Sequence, residues 1–155
     1  MTLYLDVHEP PEGLVYIQKV VAALVASLND TKWADYYWEG LDGIHHWERK
    51  TWRERVGGLD SVEHQLRQEA QAHKEAKLGL IVEGVATPSP IGTQLWARSK
   101  SSRSGGEVYY RTREHPIRYS MVCAWLYQIG KFIEVHYTSN YLSTCSFLVA
   151  AYQSD

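Results

Sequence analysis

Residues 33–51 read Trp33-Ala34-Asp35-Tyr36-Tyr37-Trp38-Glu39-Gly40-Leu41-Asp42-Gly43-Ile44-His45-His46-Trp47-Glu48-Arg49-Lys50-Thr51. Trp33 to Trp38 and Ile44 to Thr51 are rich in aromatic and β-branched residues, which suit a pleated surface. Gly40-Leu41-Asp42-Gly43 between them is turn chemistry. The spacing predicts a β-hairpin centred between Leu41 and Asp42, with Asp35 opposite Glu48. Cross-strand partners share a face, with Cβ atoms ~5 Å apart. Glu48 and Lys50, two apart on one strand, leave that same face. Two carboxylates and an ammonium therefore converge on one patch. Carboxylates that close repel each other, and a bound Mg²⁺ removes the conflict. Asp6 and Glu9, at the end of the first strand, add carboxylates that a parallel neighbour can bring alongside. Asp42 lies at the hairpin tip, about five strand residues or ~17 Å from Glu48, and is read as a turn former.

Outward from the hairpin, strands and helices alternate. Leu3 to Val7 alternates as a short strand. From Glu12, the apolar residues Leu14, Ile17, Val21, Leu24, Val25 and Leu28 recur at helical intervals, and Asn29-Asp30 ends the predicted helix. Downstream, Gly57-Gly58 precedes a helix running from Asp60 to about Lys77, with Asp60 and Glu63 in capping-box spacing and Val62, Leu66 and Ala70 as its stripe. Leu78 to Val82 suits a strand buried on both faces. Ala86 to Pro116 is the least regular part. Within it, Thr93 to Arg98 and Glu107 to Thr112 flank a Ser/Lys/Gly-rich loop and predict a projecting two-stranded arm. Ile117 to Ile129 reads as a helix, Lys131 to Tyr137 as a strand, and Leu142 to Tyr152 as a last helix capped by Thr138 or Ser139. The order implies an α/β fold, a mixed β-sheet with helices on both faces.

The 155 residues suffice for one domain with one core. Apolar residues make up 45% and charged residues 22%, which excludes disordered, collagen-like and disulfide-scaffold classes. The longest apolar runs, Val20 to Ala26 and Met121 to Tyr127, are far shorter than the roughly 20 residues of a membrane span. Asp6 and Glu9 break any signal-peptide pattern, so a cytoplasmic or nucleoid/nuclear protein that is not secreted is expected. Cys123 and Cys145 read as reduced core residues. The net charge of -2 conceals segregation. Arg98, Lys100, Arg103, Arg111, Arg113 and Arg118 face only Glu107 and Glu114 within their stretch, so a basic insertion at about 86–116 stands against an acidic remainder. Such a division points to a polyanion site in one place and an acidic, metal-binding site elsewhere. No His or Cys has zinc spacing, and no Gly-rich nucleotide loop is present.

Taken together, Asp6-Val7-His8-Glu9, Ala34-Asp35-Tyr36, Glu48-Arg49-Lys50 with Glu54, Gln65 and Leu80-Ile81-Val82-Glu83-Gly84 resemble the XPF-type nuclease domain of structure-specific endonucleases, in the PD-(D/E)XK restriction-endonuclease-like superfamily. The likeness covers nearly the whole chain, 1–155 as a single nuclease domain, apart from the basic insertion. It implies a Mg²⁺-dependent endodeoxyribonuclease, with Mn²⁺ able to substitute, acting in DNA repair or recombination on branched or flap DNA. It implies Asp35 and Glu48 as metal ligands, Lys50 as the water-orienting base, Asp6 and Glu9 as further acidic catalytic residues, and Arg49 as a phosphate or structural contact. The insertion's Arg98, Lys100, Arg103, Arg111, Arg113 and Arg118 would bind the DNA backbone without reading sequence. Four residues depart from the family pattern: His8 replaces Arg, Ala34 replaces Gly, Glu54 replaces Asp, and Ser61 replaces an Arg. Glu54 and Glu83 are read as structural. The tandem helix-hairpin-helix region that commonly follows the family's nuclease domain is not among these residues. Two other readings stay open: a catalytically inactive DNA-binding or dimerisation subunit of the same fold, and an interaction domain whose last two helices form a homodimer or heterodimer face.

Overall fold

The hairpin forms in the expected register. β3 (Tyr36–Gly40) and β4 (Gly43–Thr51) pair antiparallel, from Gly40 opposite Gly43 to Tyr36 opposite Trp47. Gly43 takes φ +133°, a left-handed value that glycine adopts without a Cβ clash, and this closes the two-residue loop. The structure, a computed structural model, describes the chain apart from residues 32–33, 53–57, 90–93 and 103–107, and along 31, 94–102 and 108–116 it describes the backbone alone. Trp33, Glu54, Gly57, Thr93, Arg103 and Glu107, which carry expectations from the sequence, lie outside the described residues.

Around the hairpin, β1 (Leu3–Asp6) runs parallel to β2 (Ala23–Ala26) and antiparallel to β3, and β4, β5 (Ala76–Glu83) and β9 (Glu134–Thr138) are mutually parallel neighbours. These strands build one six-stranded mixed sheet in the order β2-β1-β3-β4-β5-β9. Strand alternation divides the apolar residues between two faces. Leu3, Leu5, Tyr36, Trp38, Trp47 and Ile81 pack against α1 (Pro11–Ile17) and the final helix, whose Cys145, Leu148 and Tyr152 are buried there. Leu80 and Val82 leave the opposite face and pack with Val62 and Leu66 of α3 (Leu59–Ala72) and with Val122, Leu126 and Ile129 of α4 (Tyr119–Ile129). The final helix is α5 (Tyr141–Ser154). Among the described residues, no helix is long and apolar enough to cross a membrane.

The helix predicted from Glu12 to Leu28 is two elements. α1 stops at Ile17, and the chain turns as Val20 and Val21 both return their N–H groups to the Ile17 carbonyl at 3.0 Å. β2 then pairs with β1, and α2 (Leu28–Thr31) follows. Ile17 and Leu28 of the predicted stripe are buried and Leu14 and Val21 pack against the core, but Leu24 and Val25 are exposed, so the helical spacing did not mark one continuous buried face. β1 needed a hydrogen-bonding neighbour, and the β-branched Val25 suits extended backbone. Three further expectations are corrected. α3 begins after Gly58 without a side-chain cap, so Asp60 and Glu63 form no capping box. α5 is capped by Asn140, whose side chain accepts the Ser143 N–H at 2.9 Å, rather than by Thr138 or Ser139. Cys145 is buried but Cys123 is exposed, and both are free thiols.

The insertion forms a second sheet. β6 (Ala86–Pro88), β7 (Gln94–Ser102) and β8 (Val108–Arg118) pair antiparallel in that order, one strand more than the predicted arm. β7 and β8 form a long ladder from Leu95 opposite His115 to Ser102 opposite Val108. Arg118 still belongs to β8, which moves the start of α4 from the expected Ile117 to Tyr119.

Candidate active site

β4 sends its residues alternately to the two faces, and the polar groups follow. On the α3 side lie His46, Glu48 and Lys50. On the α5 side lie His45, Trp47 and Arg49. Glu48 is buried at 2% exposure. Its Oε1 accepts from Lys50 Nζ at 2.8 Å and from Gln65 Nε2 of α3 at 3.0 Å, while its Oε2 is buried with no hydrogen-bond partner. Asp35 lies one residue before the β3–β4 ladder begins. Its N–H donates to the Trp47 carbonyl at 3.0 Å, and its Oδ2 accepts the Arg49 N–H at 2.7 Å. The carboxylate thus extends the ladder through its side chain.

The electrostatics fit a group that supplies positive charge. Burial first, and then the charge of nearby Asp35, push the Glu48 carboxyl up to about 8 against the pull of Lys50. Burial raises Asp35 as well, against the Arg49 N–H and Lys50. Two carboxylates withheld from water, with one oxygen unbonded, match the all-oxygen donor preference of a hard divalent cation. Glu69 of α3, which sequence reading missed, stands beside them. It is 2% exposed, its Oε1 lacks a hydrogen-bond partner, and burial together with the Asp35 charge pushes it up to about 8. The signal was its place in the stripe 62, 66, 69, at helical intervals from Val62 and Leu66 and four residues after Gln65.

Asp6 and Glu9 lie next to Asp35: the Asp6 N–H donates to the Asp35 carbonyl at 2.8 Å, and the charge of Asp35 acts to raise the Glu9 carboxyl after burial does. Asp6 is buried, its Oδ1 accepting the N–H groups of Leu28 and Asn29 at 2.8 and 3.0 Å, and its Oδ2 the His8 N–H at 3.0 Å. Burial works to raise Asp6, but these bonds outweigh it and hold the carboxyl down at about 2. Its oxygens organise the chain around β1 and α2. Glu9 and Arg49 meet on the α5 side of the sheet. Arg49 donates from Nε to Glu9 at 2.9 Å and from Nη1 to Glu83 at 3.0 Å, its guanidinium carbon lies 5.0 Å from the Tyr141 ring centroid, and Thr144 donates to Glu83 at 2.7 Å. Tyr36 also donates to Glu9. The Arg49 donors are thus directed at protein carboxylates. In the insertion, the described ladder pairs Arg98 with Thr112, Lys100 with Tyr110, Arg111 with Ser99 and Arg113 with Ala97. Arg118 is exposed, and Arg103 lies outside the described residues.

A second polar group sits at the hairpin tip. His45 Nε2 lies 2.8 Å from both Asp42 Oδ1 and Asp155 Oδ2, and ligand atoms of the three all fall within 4.8 Å of one another. The cluster can coordinate a divalent metal. Lys77 already pairs with Asp42, and that contact, followed by the one from His45, holds the Asp42 carboxyl well below its usual range. By strand alternation His45 leaves the face opposite Glu48, so the sheet lies between the two clusters.

Solved structures give the comparison that the geometry invites. Two structures of XPF from Aeropyrum pernix, one in complex with DNA, superpose with TM-scores of 0.60 and 0.67 at 15% and 17% identity, over 99% of this chain. This is the XPF nuclease fold. The chain spans 64% and 66% of those two XPF chains. No protein-family model matches the sequence, and no curated protein does. The XPF fold and a residue group able to hold a divalent metal are together consistent with a metal-dependent nuclease.

Proposed function

We propose that the chain is a metal-dependent endonuclease that hydrolyses DNA phosphodiester bonds at Asp35, Glu48 and Lys50, with Mg²⁺ as cofactor, Mn²⁺ as substitute, and branched or flap DNA as substrate class. The observation that carries this reading is the buried Glu48 carboxylate, with one oxygen on Lys50 and Gln65 and the other unbonded. A divalent cation, when bound, polarises the phosphate and lowers the pKa of water. Asp35 and Glu48 would hold it. Lys50, fixed by Glu48, would orient the attacking water and balance charge developing on the phosphate. Asp6 and Glu9 support the site from behind, Asp6 by ordering the chain at Leu28 and Asn29, and Glu9 by tying Arg49 to the far face of β4. The basic residues of β7, β8 and their connection would hold the DNA backbone, as phosphate contacts position a duplex without reading it.

The test is incubation with labelled flap, fork, four-way junction and linear DNA, with and without Mg²⁺. We expect cleavage by the wild type only with metal, and Lys50→Ala to slow cleavage by about 100-fold or more while binding DNA normally, an effect in the range of acid–base catalysis. Unchanged cleavage by Lys50→Ala removes that residue from the reaction. DNA binding without cleavage in either metal favours the inactive-subunit reading. A second metal position is favoured by the close geometry of Asp42, His45 and Asp155.

A further inference from the structure

Asp42, His45 and Asp155 come from three parts of the chain: the loop between β3 and β4, β4 itself, and the residue that follows α5. Among the described residues they are the one group of His, Cys, Asp or Glu whose three ligand atoms lie within 4.8 Å of one another. His45 Nε2 stands 2.8 Å from an oxygen of each aspartate, and the side chains of His45 and Asp155 are 9% and 8% exposed. Two of the three groups are therefore withdrawn from water. Gly40 makes the room for this. A Cβ at that position would stand 2.5 Å from Asp155 Oδ2 and 2.9 Å from its Cγ, so the glycine leaves open the space through which the carboxylate reaches His45. The cluster lines a groove of about 420 Å³ together with Trp47. Trp47 is 4% exposed and its indole N–H has no hydrogen-bond partner, so the lining holds an unmet donor beside the three ligand atoms. A metal-bound water is an acceptor of the kind that donor lacks.

The donor set selects the ion. Mg²⁺ and Ca²⁺ take oxygen ligands, whereas an imidazole nitrogen beside carboxylates suits Zn²⁺. Ligand atoms ~2.0–2.2 Å from a tetrahedral Zn²⁺ stand about 3.4 Å apart, so each His45 contact needs to open by only about 0.6 Å to admit it. The neighbouring donors leave the ligand atoms free to do so. Lys77 holds the other Asp42 oxygen, Oδ2, and is half-exposed. Trp38 Nε1 donates to Asp155 Oδ2 at 2.5 Å, and a carboxylate oxygen keeps a second lone pair for an ion.

We infer that Asp42 Oδ1, His45 Nε2 and Asp155 Oδ2 hold Zn²⁺ as a clasp between the hairpin tip and the end of α5, with water completing the shell. This gives the second metal position an ion class and a structural role. It does not rest on the nuclease reading, because the sheet lies between this group and Glu48. An ion that joins Asp42 to Asp155 finds its site only in the folded chain, so it stabilises the fold as it binds.

The experiment is titration of chelator-treated protein with Zn²⁺, with bound ion counted by equilibrium dialysis, Co²⁺ absorption reporting the ligand shell, and the thermal midpoint followed in parallel. At a free Zn²⁺ concentration a hundredfold above Kd, the wild-type midpoint should rise by about 5–10 °C. Asp42→Asn and His45→Asn should weaken binding at least tenfold, and the half-exposed Asp42 keeps the test open should His45→Asn fail to fold. Gly40→Ala removes no ligand and should still weaken binding, by displacing Asp155. Glu48→Gln should bind the ion as the wild type does. No Zn²⁺ uptake by the wild type, or uptake unchanged in Asp42→Asn, overturns the site. Uptake lost in Glu48→Gln but kept in Asp42→Asn puts the ion on the other face and overturns it as well. Uptake without a rise in midpoint overturns the clasp. Absence of Mg²⁺-dependent cleavage in a wild type that takes up Zn²⁺ as expected overturns the nuclease reading and leaves this site standing.

Discussion

Asp35 and Asp42 both lie close to Glu48 in sequence, yet they end on different sides of the sheet's chemistry. Asp35 is drawn to the buried edge by the Arg49 N–H, whereas Asp42 sits at the tip with Lys77 and His45. Asp35→Asn should therefore abolish metal-dependent cleavage with little effect on stability, and Asp42→Asn should retain it. Cleavage that survives Asp35→Asn but not Asp42→Asn would transfer the chemistry to the tip cluster. The raised carboxyls give a second prediction at this scale. Glu48 and Glu69 have ordinary values of 4.5 and sit at about 8 in the folded chain. The folded state thus binds protons more tightly, and the stability this confers is full below about 4.5 and disappears as pH rises through about 8. In chelator, the thermal midpoint should fall between about pH 5 and pH 8.5, by about 2–4 °C for each kcal/mol in a chain of this size. Glu48→Gln and Glu69→Gln should each flatten that fall, and a midpoint flat with pH in the wild type would contradict raised carboxyls at these two residues. Arg49 carries a lesson about reading residues singly. Its position between Glu48 and Lys50 puts it on the opposite face by simple alternation, and the family motif, read as a string, hides that separation.

At the scale of elements, the hairpin was legible because turn glycines and a two-residue loop fix register, and a slip by one residue would have exposed its buried aromatic set. The same register places the Trp47 indole over Gly79 of β5, where a Cβ would stand 2.2 Å from the ring. An indole packed against Phe147 at a centroid distance of 4.9 Å has little room to retreat. Gly79→Ala should cost about 1–3 kcal/mol by overpacking, seen as a lower urea midpoint at unchanged slope. A midpoint equal to the wild type would mean that Trp47 moves freely. β2 was hidden for the converse reason. Its apolar residues happen to fall at helical intervals, and only the unfilled edge of β1, a long-range demand, decides between helix and strand. Glu69 was missed because a charged residue interrupts an apolar stripe, and its burial is visible only once α3 is laid on β4, where Gln65 meets Glu48 and Glu69 meets His46.

At the scale of the molecule, the charge division in the sequence becomes a division between sheets. The six-stranded sheet carries Glu48 and Lys50, and β6–β8 carry five of the six clustered basic residues, all but Arg103. That separation suits a polyanion laid across both, held by one part and cut by the other. Arg111, Arg113 and Arg118 all stand on β8, so neutralising the three together tests the division without altering Asp35, Glu48 or Lys50. Each phosphate left without its cationic partner should reduce the slope of log affinity against log salt by about 0.9 for duplex DNA. The triple Arg→Gln variant should therefore bind linear, flap, fork and four-way DNA more weakly by similar factors, with a slope shallower by up to about 2.7. Equal weakening on every shape follows from binding through phosphates, which all shapes share. Weakening confined to branched DNA would instead make β8 a reader of the junction, and an unaltered slope would leave the hairpin as a solvated arm, with the DNA held by the six-stranded sheet itself.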